Sequence, residues 1–257
     1  MSTILLTGLQ PQADSASDYV LAPDAALLVT EHGTGFAFDM RNSFYAISAV
    51  GAQMLERTLR LGKSDALSAI AAEYDADPST IEADLQAFLN DLEARGVILR
   101  RDAVAVAKRG SPGANLLARM AKRSLVHLSS PRARASAVLT LARLSFAWFG
   151  WDATLKAWKR HITATTAARP DAVDATLGSI DDAVRAMSAR LPFGGNCKER
   201  ALSSWAMARS AGVETALIVG VVQYPLGGHT WCAAKNGAIL GDDAHHCALY
   251  LPVFRYE

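Results

Sequence analysis

The stretch from Phe193 to Asp243 constrains this chain more than any other. It reads FGGNCKERALSSWAMARSAGVETALIVGVVQYPLGGHTWCAAKNGAILGDD. A Gly-Gly-Asn turn leads into Cys197. Ala201, Leu202, Trp205, Met207 and Ala208 then recur at helical spacing, with Lys198, Glu199, Arg200 and Arg209 among the polar positions. Gly212 marks the end of that predicted helix. Ala216 to Val222 is a short apolar run of strand type, and Gly227-Gly228 opens a second strand carrying His229 and Trp231. Asn236-Gly237 is a hairpin signal, after which Ala238 to Leu240 leads into Asp242-Asp243. The order is a thiol at a helix start, an imidazole on a strand, and a carboxylate beyond the next strand.

That order has a chemical meaning. An ordinary thiol, with a pKa of about 8.5, is only a few per cent thiolate at neutral pH. A helix N-terminus and a neighbouring imidazolium both stabilise the anion. His229 is then the base and later the acid, and a carboxylate holds its ring in one tautomer. Taken singly, Cys197 reads as a small buried apolar residue and His229 as a hydrogen-bonded core residue. Taken together, the three point to a nucleophile, its base and an orienting group.

The segment resembles the transglutaminase-like cysteine protease core, and more narrowly the leader peptidase of lasso-peptide biosynthesis. The carrying residues are Cys197, the strand ALIVGVV, His229-Thr230-Trp231, the turn Asn236-Gly237, and Asp242. The family pattern is Cys, a strand ending in Val-Gly-Val, His-Ala-Trp-Val-Glu, a glycine turn and an aspartate. This chain has Thr230 for the alanine, Cys232-Ala233 for Val-Glu, and a slightly longer spacing to the aspartate. Asp242 and Asp243 both remain candidates for the third position, and the register after Gly237 favours Asp242.

Composition bounds the rest. A chain of 257 residues, 51% hydrophobic and 20% charged, has room for one large globular domain or two small ones. Its net charge of +1 hides a segregation: residues 1–99 carry fourteen acids and five bases, whereas residues 100–170 carry two acids and fourteen bases. Three cysteines without disulfide spacing suit a reducing cytoplasm. Residues 1–20 offer only Ile4-Leu5-Leu6 as an apolar run, too short for a signal peptide. Arg143 interrupts the most membrane-like stretch, Ala135 to Trp151. Trp148, Trp151 and, beyond that stretch, Trp158 fit a buried amphipathic helix better than one lying on a membrane, so no membrane partner is expected.

The first hundred residues read as a small module. After a lead-in over 1–20, Ala26 to Val29, Gly35 to Phe38 and Ser43 to Ile47 are predicted strands, with a turn at Arg41-Asn42. Ser48 caps a helix over Gln53 to Leu61, and a second runs from Ser64 to Tyr74. A third takes Asp77 or Ser79 as cap, with Glu82 completing a capping box with Ser79, and ends at Gly96. Its apolar stripe is Ile81, Leu85, Phe88, Leu89 and Leu92. Val97 to Leu99 starts a closing strand. The result is winged-helix-like, but Glu82, Asp84, Asp91 and Glu93 on the third helix oppose phosphate contact, so nucleic acid is not expected.

The pattern from Gly35 to Leu99 instead resembles the precursor-recognition domain of ribosomally made, post-translationally modified peptides, related to the small carrier protein of pyrroloquinoline quinone biosynthesis. In that family the precursor's leader adds as a strand to the open sheet edge and packs on the third helix. The resemblance puts the edge at Ser43, Phe44, Tyr45, Ala46 and Ile47. It puts the groove wall at Leu85, Phe88, Leu89 and Leu92. The same apolar residues also read as core.

Between the modules, Lys108-Arg109-Gly110-Ser111-Pro112-Gly113 reads as a linker. Basic helical material with Leu116, Leu117, Met120, Leu125 and Val126 follows. Ala135 to Phe149 and Asp152 to His161 read as two helices separated near Gly150, the second capped by Asp152, and Ser179 to Leu191 as another. The basic surface reads as solvated charge, or as a seat for the acidic module, an acidic substrate or a partner enzyme. His229, Cys232 and the run His245-His246-Cys247 lack the convergence of a zinc site, because strand alternation puts Cys232 opposite His229. No phosphate loop or serine elbow is present, so neither metal nor cofactor is expected.

The expected fold is α+β: a winged-helix-like recognition domain over 21–105, a linker over 106–115, and a papain/transglutaminase-like domain of helical lobe plus antiparallel sheet over 116–257. The resemblance implies a cytoplasmic cysteine peptidase that removes the leader from a lasso-peptide precursor, using Cys197, His229 and Asp242. The precursor's leader and an asparagine-synthetase-like, ATP-dependent cyclase are the implied partners. A transglutaminase-type acyl transferase and a non-catalytic leader-binding scaffold are the alternatives. The second oxyanion donor is open between Asn196 and Gln223.

Overall fold

A computed structural model of the chain describes residues 17–29, 35–40, 43–75, 77–102, 111–163, 169–222 and 226–257. It folds into two compact units, 1–109 and 110–257, each mixing helix and sheet. The Ile4-Leu5-Leu6 run, the Arg41-Asn42 turn, Lys108 to Gly110 of the linker, and Gln223 lie outside the described residues.

In the first unit, β2 (Ala25–Val29), β3 (Gly35–Asp39) and β4 (Ser43–Ile47) form an antiparallel sheet in the order β2-β3-β4. The helices are α1 (Ala49–Leu61), α2 (Lys63–Tyr74) and α3 (Pro78–Ala94). Ser48 caps α1 by accepting from the Gly51 N–H. Asp77 caps α3, accepting from the Thr80 N–H with Pro78 in the first turn. The Ser79–Glu82 capping box does not form: the Ser79 hydroxyl donates to Asp77, and Glu82 pairs with Lys63 at 3.3 Å. Gly96 leaves α3 at φ +70, as an αL stop requires.

Two expectations need correction here. Tyr19 and Val20, expected in the lead-in, belong with Leu21 to strand β1 (Tyr19–Leu21), buried throughout. It pairs antiparallel with β5 (Ile98–Arg100) as a separate two-stranded ladder. Leu85 and Leu89 are fully buried in the core with Leu27, Ala52, Leu55 and Ile98, so they hold the unit together, and neither lines the groove beside Ser43–Ile47.

The second unit begins inside the expected linker, with Ser111 capping α4 (Pro112–His127). Next come α5 (Pro131–His161), a 3-10 turn (Pro170–Ala172), α6 (Val173–Arg190) and α7 (Cys197–Ser210). Helix α5 is broken at Gly150, whose φ of 73° and ψ of −171° are non-helical. Asp152, at the start of the second half, pairs with Lys156 one turn along. Trp151 and Trp158 are core and Trp148 is exposed. Among the described residues no helix is long and apolar enough to cross a membrane.

Strands β6 (Thr215–Val222), β7 (Gly227–Ala234), β8 (Ile239–Leu240) and β9 (Leu251–Tyr256) form an antiparallel sheet in the order β8-β7-β6-β9. A single turn, α8 (Ala244–Cys247), precedes β9. Helix α7 packs between this sheet and α5 and α6. It is buried on every side from Ala201 to Ala208, which its small Ala and Ser residues permit. That central position brings the end of α7 that bears Cys197 to β7.

Leu85→Ala removes a fully buried side chain from the first unit and is expected to cost about 2–5 kcal/mol, read as a lower urea midpoint for that unit.

Candidate active site

Cys197 is the first residue of α7, where backbone N–H groups lack intrahelical acceptors and favour an anion. The start is held by a capping box: the Asn196 side chain accepts from the Glu199 N–H, and Glu199 accepts from the Asn196 N–H. Glu199 is 1% exposed, and Arg143 of α5 donates to it at 3.1 Å. A buried carboxylate beside a nucleophilic thiol would oppose its ionisation, and the guanidinium offsets that charge.

His229 faces the thiol from β7. Its register partner on β6 is Gly220, where a Cβ would fall 2.7 Å from the Trp231 ring and 2.9 Å from Tyr250. The glycine therefore makes room for the aromatic wall behind the imidazole. Tyr250 stacks on His229 at 4.9 Å, and His246 meets it edge-on at 4.7 Å. On the far side, His229 Nε2 lies 2.9 Å from Asp242 Oδ2. Asp242 is brought there by Gly241, whose φ of +73° suits glycine and where a Cβ would meet Ser204 Oγ at 2.6 Å. Asp243 points elsewhere, capping α8 by accepting from the His246 N–H.

The three groups shift one another. Burial alone would raise the Cys197 thiol, but hydrogen bonds to His229 and from the Thr230 N–H, with the charges of His229 and Lys198, bring it below its ordinary value. Burial alone would lower His229, yet Asp242 and Cys197 carry it up to about 9. Burial would raise Asp242, but His229, the Asp243 N–H and Arg200 hold it at about 2. The arrangement therefore favours the imidazolium and the carboxylate and shifts the thiol toward its anion.

Residues 136–255 match the transglutaminase-like superfamily, and residues 25–98 match coenzyme PQQ synthesis protein D (PqqD). The chain joins a PqqD-type recognition element to a transglutaminase-like domain. That order matches the B-protein fusion architecture. No curated protein and no solved structure matches the chain.

In the recognition element, β4 is an edge strand with no ladder partner beyond it among the described residues. Between β4 and helices α1 and α3 runs a groove of about 600 Å³, lined by Phe44, Tyr45, Ala46, Ile47, Phe88 and Leu92 of the expected set. Nothing of the Ser43 side chain is described. Met54, Asp84, Asp91 and Arg95 also line the groove and were not expected; Arg95 lies over the Tyr45 ring at 5.2 Å while pairing with Asp91. Their positions on the helix faces next to Tyr45 and Phe88 were the only signal available.

In the transglutaminase-like domain, sequence reasoning also missed Arg200, Tyr250 and His246. Arg200 read only as a polar helix position, although it stands one turn from Cys197. His229, Asp242 and Cys247 bring one donor atom each within 4.8 Å of one another. The set fits a divalent ion poorly. The Asp242 oxygen already accepts from His229 and Arg200, and burial together with Asp242 and Asp243 pushes Cys247 up to about 12. Asn196 is committed to the cap of α7 through its side-chain oxygen.

The three thiols therefore differ sharply. Burial pushes Cys232 up to about 12, as it does Cys247. At neutral pH, iodoacetamide is expected to modify Cys197 selectively, read by mass spectrometry of the digested protein; equal labelling of all three would contradict the electrostatics described.

Proposed function

We propose that the protein is a cysteine peptidase that removes the leader from a lasso-peptide precursor, in the cytoplasm and alongside an ATP-dependent macrolactam cyclase. A recognition element joined to a transglutaminase-like domain supports a role in processing the leaders of ribosomally made peptides. The observation that carries the peptidase reading is the line from Cys197 through His229 to Asp242 at the start of a buried helix.

The chemistry follows from those positions. The Cys197 thiolate attacks the carbonyl of the last leader residue, and N–H groups at the start of α7 stabilise the oxyanion. His229, protonated and held by Asp242, gives its proton to the departing amine of the core peptide. The neutral imidazole then takes a proton from water, which attacks the thioester and releases the leader acid and the thiolate. The freed core amine is what a cyclase joins to a side-chain carboxylate. Leader binding in the β4 groove raises the effective concentration of the scissile bond.

A transglutaminase-type acyl transfer uses the same thioester but an amine in place of water, and the family match keeps it in view. Mass spectrometry of the products separates water from amine capture. Cys197→Ala and His229→Ala are expected to abolish cleavage of a candidate precursor, and Asp242→Ala to lose about a hundredfold less activity than either. Full cleavage by Cys197→Ala would end the cysteine-peptidase reading, whereas leader binding without cleavage by the wild type would leave a leader-binding scaffold.

The groove has its own test. In the full chain carrying Cys197→Ala, Phe88→Glu is expected to weaken binding of a fluorescent leader peptide by about tenfold or more, through a buried charge at a half-buried apolar contact. Unchanged anisotropy titrations would remove the leader from this groove.

A further inference from the structure

We propose that Arg200 is a positioning residue for this reaction: its guanidinium, one turn along α7 from Cys197, fixes the Asp242 carboxylate with Oδ2 facing His229 Nε2. The inference rests on reading Cys197, His229 and Asp242 as the catalytic set.

Asp242 Oδ2 takes two donors, His229 Nε2 and Arg200 Nη2, each at 2.9 Å. Oδ1 takes one, the Asp243 N–H at 2.8 Å. Without Arg200, Oδ2 would keep only the imidazole as a donor, and the Asp243 N–H on Oδ1 would be the one other restraint among the described residues on rotation about Cβ–Cγ. The Arg200 Nε is buried without a partner among the described residues, so the carboxylate is what orients this guanidinium.

The backbone of the same turn is gripped from α6. Asp181 accepts the Gly241 N–H at 2.6 Å and the Arg185 Nε at 2.9 Å, while Arg185 donates to the Asp242 carbonyl. Main chain and carboxylate are thus held by different helices. Because Cys197 and Arg200 share α7, the nucleophile and the group that orients its base are set from one rigid element.

The charges facing this site are Asp181 and Arg185 from α6, Lys198 and Arg200 from α7, His229 from β7, Asp243 at the cap of α8, and His246 and Cys247 within it. Removing Arg200 would have opposite effects under two roles. As a mere cation, its loss would favour the imidazolium and move thiolate formation to lower pH. As a positioning group, its loss would free Asp242 from His229, weaken the imidazolium and move thiolate formation to higher pH.

The test is the pH–rate profile for alkylation of Cys197 by iodoacetamide, on the full chain. Arg200→Met is expected to move the acid limb upward and slow alkylation below neutrality by about tenfold, with Arg200→Lys recovering part of it. In an Asp242→Asn background, Arg200→Met should add nothing. A limb that stays put or moves to lower pH overturns the proposal, as does an equal further loss in that background. If Arg200→Met fails to fold, Arg200→Lys, alone and with Asp242→Asn, carries the same comparison. A wild-type Cys197 no more reactive than a free thiol would instead sink the catalytic reading itself.

Discussion

The second unit depends on a 2.9 Å contact between a buried imidazole and a buried carboxylate, His229 and Asp242. An isolated ion at that depth is costly, and removing one partner of such a pair leaves the other uncompensated. Compensation runs outward in both directions. His229 answers the Cys197 thiolate, Asp242 answers His229, and Arg200 answers Asp242 before reaching solvent. At the helix start the buried Glu199 is balanced by Arg143. The glycines at 220 and 241, and the small residues of α7, give these groups the space to meet.

The elements carrying this arrangement were legible because local rules and tertiary packing agree on them. The apolar run Ala216 to Val222 became β6 and the Asn236-Gly237 turn closed β7 on β8. The choice between Asp242 and Asp243 was not legible from their own chemistry. The φ of Gly241 aims the first at His229, and the second is taken by the N-terminus of α8. Helix α3 fell between these cases. Its apolar stripe predicted the helix, but not that Leu85 and Leu89 turn fully into the core while Phe88 stands beside the groove.

What the sequence hid was mostly long-range pairing. Tyr19–Leu21 is a three-residue run whose strand exists only because Ile98–Arg100, near the other end of the unit, completes the ladder. Arg200 and Arg185 look like ordinary solvated helix positions until the Asp242 turn folds over them. Nothing in a 3.6-residue period reports that encounter. Helix α7 misled in the opposite sense: it read as amphipathic, yet it is covered on all sides because sheet and helices meet around it.

The unfilled rim of β4 has a wider consequence. A strand docking there would be gripped chiefly through peptide groups, which every sequence possesses. Discrimination would then fall to a few sockets beside Tyr45, Phe88 and Leu92, leaving the intervening positions of the guest free to drift. Such a receptor could be re-addressed to a new client by changing a handful of side chains, with its own scaffold untouched.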